Sequence, residues 1–243
     1  MHMPPVSQPH PPSLQFSPAI TLGDDTLPPE TAAPSGNADP GKTYQQMFRM
    51  AQELQDVAAE RDRAQAAIAD AQHQALRRLI LLAALKDGGT PEHCLRVGAL
   101  SALLAHAMGL PEKRCDMLFD AAPLHDLGKL GIPDSILLKP GRLSPDEWRI
   151  MRDHPLLGVR LLGNAGSPVH ELAVEIVLNH HEKWDGSGYP AGRLGTNTPL
   201  SARITAVADF FDAVTSLRSD RAPLGDDQVF RLLECASGTQ FGV

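Results

Sequence analysis

From Thr43 onward the chain repeats apolar residues on a seven-residue period. Met47, Leu54, Ile68, Ala75 and Leu82 fall at one heptad position, and Met50, Val57, Ala64, Ala71 and Leu85 at the other. Arg61 and Arg78 interrupt the two rows, and Glu, Gln, Asp and Arg fill most of the rest. A stripe this narrow specifies a long helix that meets a partner along a seam, although many alanines weaken it. The pattern predicts a helix over 43–86 and a parallel homodimer through it; packing of that helix back on its own domain is the competing reading. Ahead of it, residues 1–42 are crowded with proline, serine and small polar residues and lack periodicity. Such a segment buries too little apolar surface to offset its ordering entropy, so it reads as disordered.

Beyond residue 86 the punctuation changes. Asp87-Gly88-Gly89-Thr90-Pro91 breaks the helix, with Thr90 as N-cap and Pro91 at the first position of the next one. That helix should stop near Gly109. A further helix starts at Pro111 and runs into His125-Asp126-Leu127-Gly128-Lys129, its last turn tightened by Pro123. Ser144-Pro145-Asp146-Glu147 reads as a capping box. The helix it opens should end before Pro155, leaving His154 at its C-terminal end. Helices around 171–178 and 201–217 follow, and nothing alternates convincingly as a strand. The expectation is an all-α domain over 87–243.

Composition narrows the function classes. Hydrophobic residues make up 42% of 243, enough for a substantial core, and only 5% are aromatic, so Leu, Ala, Val and Ile must build it. A formal charge of −7 and the lack of a basic stripe argue against DNA binding. An acidic chain acting on an anion needs local positive charge, most simply from metal ions. Cys94, Cys115 and Cys235 show no CxxC spacing, which fits a reducing compartment. No signal peptide is visible, and Leu79–Leu85, the longest apolar run, is too short for a bilayer. These features predict a cytoplasmic protein with no membrane insertion.

His93, His125, Asp126, His154, His180, His181 and Asp209 are the candidate metal ligands. They lie on successive helices, as a site inside a bundle requires. Neighbours on a helix point about 100° apart. A doublet such as His125-Asp126 can therefore serve one ion through histidine while the carboxylate leans toward a second, and His180-His181 can divide in the same manner. Asp209 sits within Ile204-Thr205-Ala206-Val207-Ala208-Asp209-Phe210-Phe211, where an unpaired buried carboxylate is costly and a cation satisfies it. His93 as an ordinary first-turn residue and His154 as a dipole-facing cap are the plainer alternatives. The remaining five histidines (His2, His10, His73, His106, His170) read as structural or surface. The glycines of the run from His180 to Pro190 suggest close backbone approach to a ligand.

His125-Asp126-Leu127-Gly128-Lys129 followed by His180-His181-Glu182-Lys183-Trp184-Asp185-Gly186-Ser187-Gly188-Tyr189-Pro190 resembles the HD-GYP family of bacterial signalling phosphodiesterases. Ile132-Pro133-Asp134, Leu138-Lys139-Pro140-Gly141 and the run from Ala206 to Ser216 fit it as well. The resemblance covers roughly residues 87–242 and implies an HD-domain helical bundle behind a signalling helix. It implies hydrolysis of the second messenger cyclic di-GMP to pGpG or GMP on divalent metals, most often iron or manganese. The seven ligand candidates match the family's metal ligands, with Asp126 and Lys129 as the catalytic pair. Lys129 resembles the lysine on the scissile phosphate, Tyr189 belongs to the loop over the substrate, and Arg218 and Arg221 resemble residues that hold phosphate or base. A diguanylate cyclase carrying a GGDEF domain is an implied partner for the GYP loop.

The sequence departs from that pattern in places. Members with a third metal carry Glu four residues before the first histidine; Gly89 stands there, which predicts two metals. The usual Arg-Pro-Tyr-Arg/Lys becomes Arg218-Ser219-Asp220-Arg221, losing a stacking ring and adding negative charge. The family also places another helix after the segment matching Ser237–Gly242, so the C-terminal helix is expected to be missing here. Two alternatives stay open: a weak or inactive module that senses cyclic di-GMP or docks a cyclase, and an HD phosphohydrolase for another nucleotide.

Overall fold

The computed structural model describes residues 40–87, 91–164, 166–217 and 222–242. Among them no strand forms; two isolated bridges pair Asp185 with Leu194 and Ser237 with Phe241. The all-α expectation holds. Gly89, Thr90, Arg218, Asp220 and Arg221, and nearly all of the N-terminal segment read as disordered, lie outside the described residues.

Helix α1 spans Pro40–Asp87 without a break, starting three residues ahead of the sequence reading. The chain divides into two compact units between Ala58 and Ala59. In the first, Met47, Met50, Leu54 and Val57 of the heptad rows are exposed. In the second, Ile68, Leu82 and Leu85 of the same rows are exposed, whereas Leu76, Leu79, Ile80, Ala83 and Ala84 pack on the domain core. The back-packing reading thus holds for one face near the end of α1. The heptad rows use another.

The rest of the second unit is a bundle of short helices. It comprises α2 (Pro91–Ala107), α3 (Glu112–Ala121), α4 (Asp134–Leu137), α5 (Pro145–Met151), α6 (His154–Leu162), α7 (Pro168–Asn179), α8 (Leu200–Thr215) and α9 (Asp226–Ala236). Helix α2 packs on α3 and α8, and α7 on α3, α6 and α8. The core they enclose is aliphatic, as the low aromatic content requires: Val97, Leu118, Leu124, Leu127, Ile176, Val177 and Ile204. Proline and small polar residues set the helix starts. Ser144 accepts from Glu147 N–H while the Glu147 carboxylate reaches back to Ser144 N–H, so the capping box is formed.

Pro123 does tighten the end of α3, into a 3-10 turn over Ala122–Leu124. His154, by contrast, does not end α5. That helix closes at Met151, and His154 and Pro155 open α6. Proline lacks only an N–H that a first turn leaves unpaired anyway, so Pro155 starts a helix here instead of breaking one. At the other end of the chain, residues 237–242 turn back on the loop after α7. Trp184 N–H donates to Gln240 O at 3.2 Å and Asp185 N–H to Thr239 O at 2.9 Å. Phe241 is buried with its ring centroid 5.4 Å from that of Phe210.

Candidate metal centre

The helix ends deliver ligand-type side chains to one place. Asp126, His154, His180 and His181 bring one donor atom each within 4.8 Å of one another, and His93, His125 and Asp209 do the same in a second group. The groups touch through the doublet, His125 Nε2 lying 3.3 Å from Asp126 Oδ2. His154 Nε2 is 3.4 Å from Asp126 Oδ1 and His180 Nε2 is 3.7 Å from it. Asp209 Oδ1 is 3.5 Å from His93 Nε2 and 3.8 Å from His125 Nε2. All seven candidates read from the sequence therefore come together.

Three of the five rings are aimed from behind by backbone carbonyls. Nδ1 of His125 donates to Ala122 O at 2.8 Å, that of His154 to Met151 O at 2.9 Å, and that of His180 to Val177 O at 3.0 Å. A carbonyl only accepts, so whenever one of these rings is neutral its proton sits on Nδ1 and the Nε2 lone pair faces inward. The approach of these elements depends on missing side chains. A Cβ on Gly128 would lie 1.7 Å from His154 O, and one on Gly158 would meet Val177 Cγ1 at 2.5 Å. Glycine at both positions lets the 3-10 turn over Leu127–Gly131 (the Lys129 turn) lie against α6 and brings Asp126 to His154, and Gly158 also lets α7 approach α6.

The electrostatics of the cluster are uneven. Burial opposes charging of His125, yet the neighbouring Asp126 and Asp209 carboxylates override it and raise this imidazole to about 9. Burial likewise works against the Asp126 carboxylate, but Lys129 and His125 hold it well below the usual range. His154 is pushed down to about 4, mainly by burial, against the pull of Asp126. Burial and neighbouring His180 hold His181 far below the ordinary imidazole range. Two buried atoms, His125 Nε2 and Asp126 Oδ1, have no hydrogen-bond partner, although both face the cluster. Unpartnered buried donors and acceptors are costly. Convergent imidazole nitrogens and carboxylates with no thiolate suit a divalent cation of the borderline-to-hard kind, so the residues present fit one.

The sequence profile of the HD domain matches residues 46–242. The chain belongs to the HD-domain family. Relatives of this HD domain include a cyclic di-GMP phosphodiesterase of Thermotoga maritima, 47% identical over 165 residues, covering 68% of this chain and 45% of the relative. A 3′3′-cGAMP-specific phosphodiesterase 2 of Vibrio cholerae is 47% identical over 152 residues, covering 63% of this chain and 29% of that protein. The chain thus spans less than half the length of either. A solved cyclic GMP-AMP-specific phosphodiesterase of V. cholerae shares the fold at a TM-score of 0.50 and 20% identity, over 68% of this chain and 45% of that one.

Around the centre of the HD domain the structure corrects several expectations. His125 and Asp126 divide between the two groups as anticipated, but His180 and His181 do not; both fall in the Asp126 group. Asp209 is 29% exposed in its side chain and is not the buried carboxylate of α8. That carboxylate is Asp212, 3% exposed, which pairs with Arg96 and His93. Its position one turn from Asp209 was the available signal.

The loop after α7 is held by contacts of its own. A Cβ on Gly188 would lie 2.3 Å from Lys183 N and 2.6 Å from His181 O, so this glycine serves close backbone packing inside the loop. Glu182, given no role in the sequence reading, is buried and accepts from Ala191 N–H at 2.7 Å and Arg193 N–H at 2.9 Å, holding the loop closed. Tyr189 is thereby stacked on His181, centroids 4.7 Å apart, with the Arg152 guanidinium 5.4 Å from its ring. Burial, then the Asp126 charge, pushes the Tyr189 hydroxyl above its usual pKa, so it stays a donor. Lys129 Nζ lies 2.6 Å from Asp126 Oδ2. Of the histidines set aside, His170 is buried on Gly163 O at 3.1 Å, as a structural residue should be, and His73 faces Asp120 at 3.5 Å.

Proposed function

We propose that this HD domain hydrolyses cyclic di-GMP, using two divalent cations bound at adjacent sites. The observation that carries this reading is the contact of the two ligand groups through His125 and Asp126, 3.3 Å apart. His93, His125 and Asp209 would hold one ion, and Asp126, His154, His180 and His181 the other. When bound, such cations supply Lewis acidity, lowering the pKa of water and polarising a phosphoryl oxygen. In the net reaction water adds to phosphorus and the P–O3′ bond breaks, giving linear pGpG; a second cut gives GMP.

The protein's own groups do the positioning. Asp126 and Lys129 form the catalytic pair, the ammonium at 2.6 Å from the carboxylate supplying positive charge beside the phosphate site. Tyr189 forms a wall over His181 and offers a hydroxyl proton to the substrate, and Arg152 beside it adds a cation in a chain of net charge −7. Arg218 and Arg221 are assigned to phosphate or base. Iron or manganese is the metal we favour, since the donor set is imidazole and carboxylate.

The heptad rows left exposed on α1 support a parallel homodimer through residues 43–86, which serves as the signalling helix. We assign the loop over 180–190 as the docking surface for a GGDEF-type cyclase, and an intracellular second messenger as substrate supports a cytoplasmic location. No helix among the described residues is long and apolar enough to cross a membrane.

The cGAMP-specific relatives favour a second reading, in which the preferred cyclic dinucleotide carries one adenine. Incubating the metal-loaded protein with both substrates and separating the products decides between them. Turnover of cyclic di-GMP that disappears in His125→Ala and Asp126→Ala supports the main proposal; binding without turnover by the metal-loaded wild type overturns it in favour of a sensor.

A further inference from the structure

His93 is held differently from the other aimed imidazoles of the centre. Those of His125, His154 and His180 lean on backbone carbonyls, whereas His93 Nδ1 lies 2.7 Å from the carboxylate Oδ2 of Asp212. On its other edge, Nε2 is 3.5 Å from Asp209 Oδ1. Asp209 and Asp212 are three residues apart on α8, hence on the same face. The ring of His93, carried by α2, is therefore gripped between two carboxylates from one turn of the helix packed against it. Asp212 is itself fixed: Arg96, one turn after His93 on α2, donates to Asp212 Oδ1 through Nε and to Oδ2 through Nη2 at 3.1 Å. Arg96 Nη2 also donates to Ser216 Oγ at 2.9 Å.

From this geometry we infer that Asp212 is a positioning residue for the His93 group. An ionised carboxylate accepts only, and its pairing with Arg96 keeps it ionised, so the His93 proton is held on Nδ1 and the Nε2 lone pair is presented to a cation. The carboxylate also makes the ring a stronger donor than a carbonyl does. Arg96 locks Asp212, and Ser216 locks Arg96. This assignment rests on the two-cation reading and adds to it that the ions are unequally supported: the one at His93, His125 and Asp209 depends on Asp212, and the one at Asp126 does not.

The test is manganese binding to metal-stripped protein by calorimetry, with 15N-histidine spectra of the metal-free form. Removing Asp212 alone strands Arg96, so the variant pairs Asp212→Leu with Arg96→Met; apolar replacement of both partners of such a pair is well tolerated. Circular dichroism checks that the helices persist. The wild type should bind two ions, and the double variant should bind one of them about 10–100-fold more weakly with the other unchanged. In the spectra, the His93 signal, identified by its loss in His93→Gln, should report Nδ1–H in the wild type and move toward Nε2–H in the variant. A folded variant that binds both ions with wild-type affinity overturns the assignment. A wild-type isotherm with one site overturns the two-cation reading instead. The spectra then decide alone: Nδ1–H in the metal-free wild type supports the role of Asp212 and Nε2–H overturns it.

Discussion

At His125 a proton and a cation compete for one atom. Nε2 is buried, faces two carboxylates and has no hydrogen-bond partner, while Nδ1 is committed to Ala122 O. With no metal bound, the raised pKa of about 9 keeps this ring protonated at neutral pH. Metal uptake near pH 7 must therefore expel that proton, and apparent affinity should climb as pH rises toward 9. Calorimetry in buffers of different ionisation enthalpy reads the proton directly. Linkage fixes the companion effect on stability. A folded-state pKa above the unfolded value of about 6.5 contributes stability that is whole below pH 6.5 and lost as pH rises through 9. His154, lowered to about 4, contributes in the opposite sense, its share being lost as pH falls from 6.5 through 4. Thermal midpoints of the metal-free protein should fall on both flanks, and His125→Gln should flatten the alkaline one.

Among the elements, the junction of the Lys129 turn with α6 matters most for the geometry of the centre. Gly128 has no room for a side chain, since its Cβ would sit 1.7 Å from His154 O. Gly128→Ala should push the turn off α6, cost about 1–3 kcal/mol of stability and part Asp126 from His154. Denaturant unfolding and metal titration of the same variant read the two effects. Ser144→Ala removes the cap of α5 and should cost about 1 kcal/mol while leaving metal binding intact.

These elements also mark the limit of what the sequence disclosed. Helix starts were legible where proline and a cap coincide, as at Ser144-Pro145. The ligand set was legible because His and Asp recur at helix ends. His154 reads from the sequence as the end of α5 because Pro155 looks locally like a break, yet proline fits a first helical turn equally well, and local sequence does not separate the two. The role of Asp212 is not legible locally because its partners, His93 and Arg96, lie more than a hundred residues away in sequence. The packing role of Gly188 depends on a loop closed by Glu182, a contact no local pattern announces.

For the whole molecule, α1 carries two apolar faces near its end, one buried on the core and one exposed at Leu82 and Leu85. If the exposed rows are a dimer seam, Leu54→Glu with Leu82→Glu should shift the protein to a monomer in sedimentation while its helix content stays. A wild type that sediments as a monomer at high concentration would remove the dimer from the account. Among the described residues the bundle encloses an aliphatic core and a polar centre, and the centre is where its function is proposed to lie. The most direct measurement is the fate of cyclic di-GMP incubated with wild-type protein loaded with manganese to two ions per chain. The account predicts linear pGpG or GMP; intact cyclic di-GMP after prolonged incubation, with both ions bound, would contradict it.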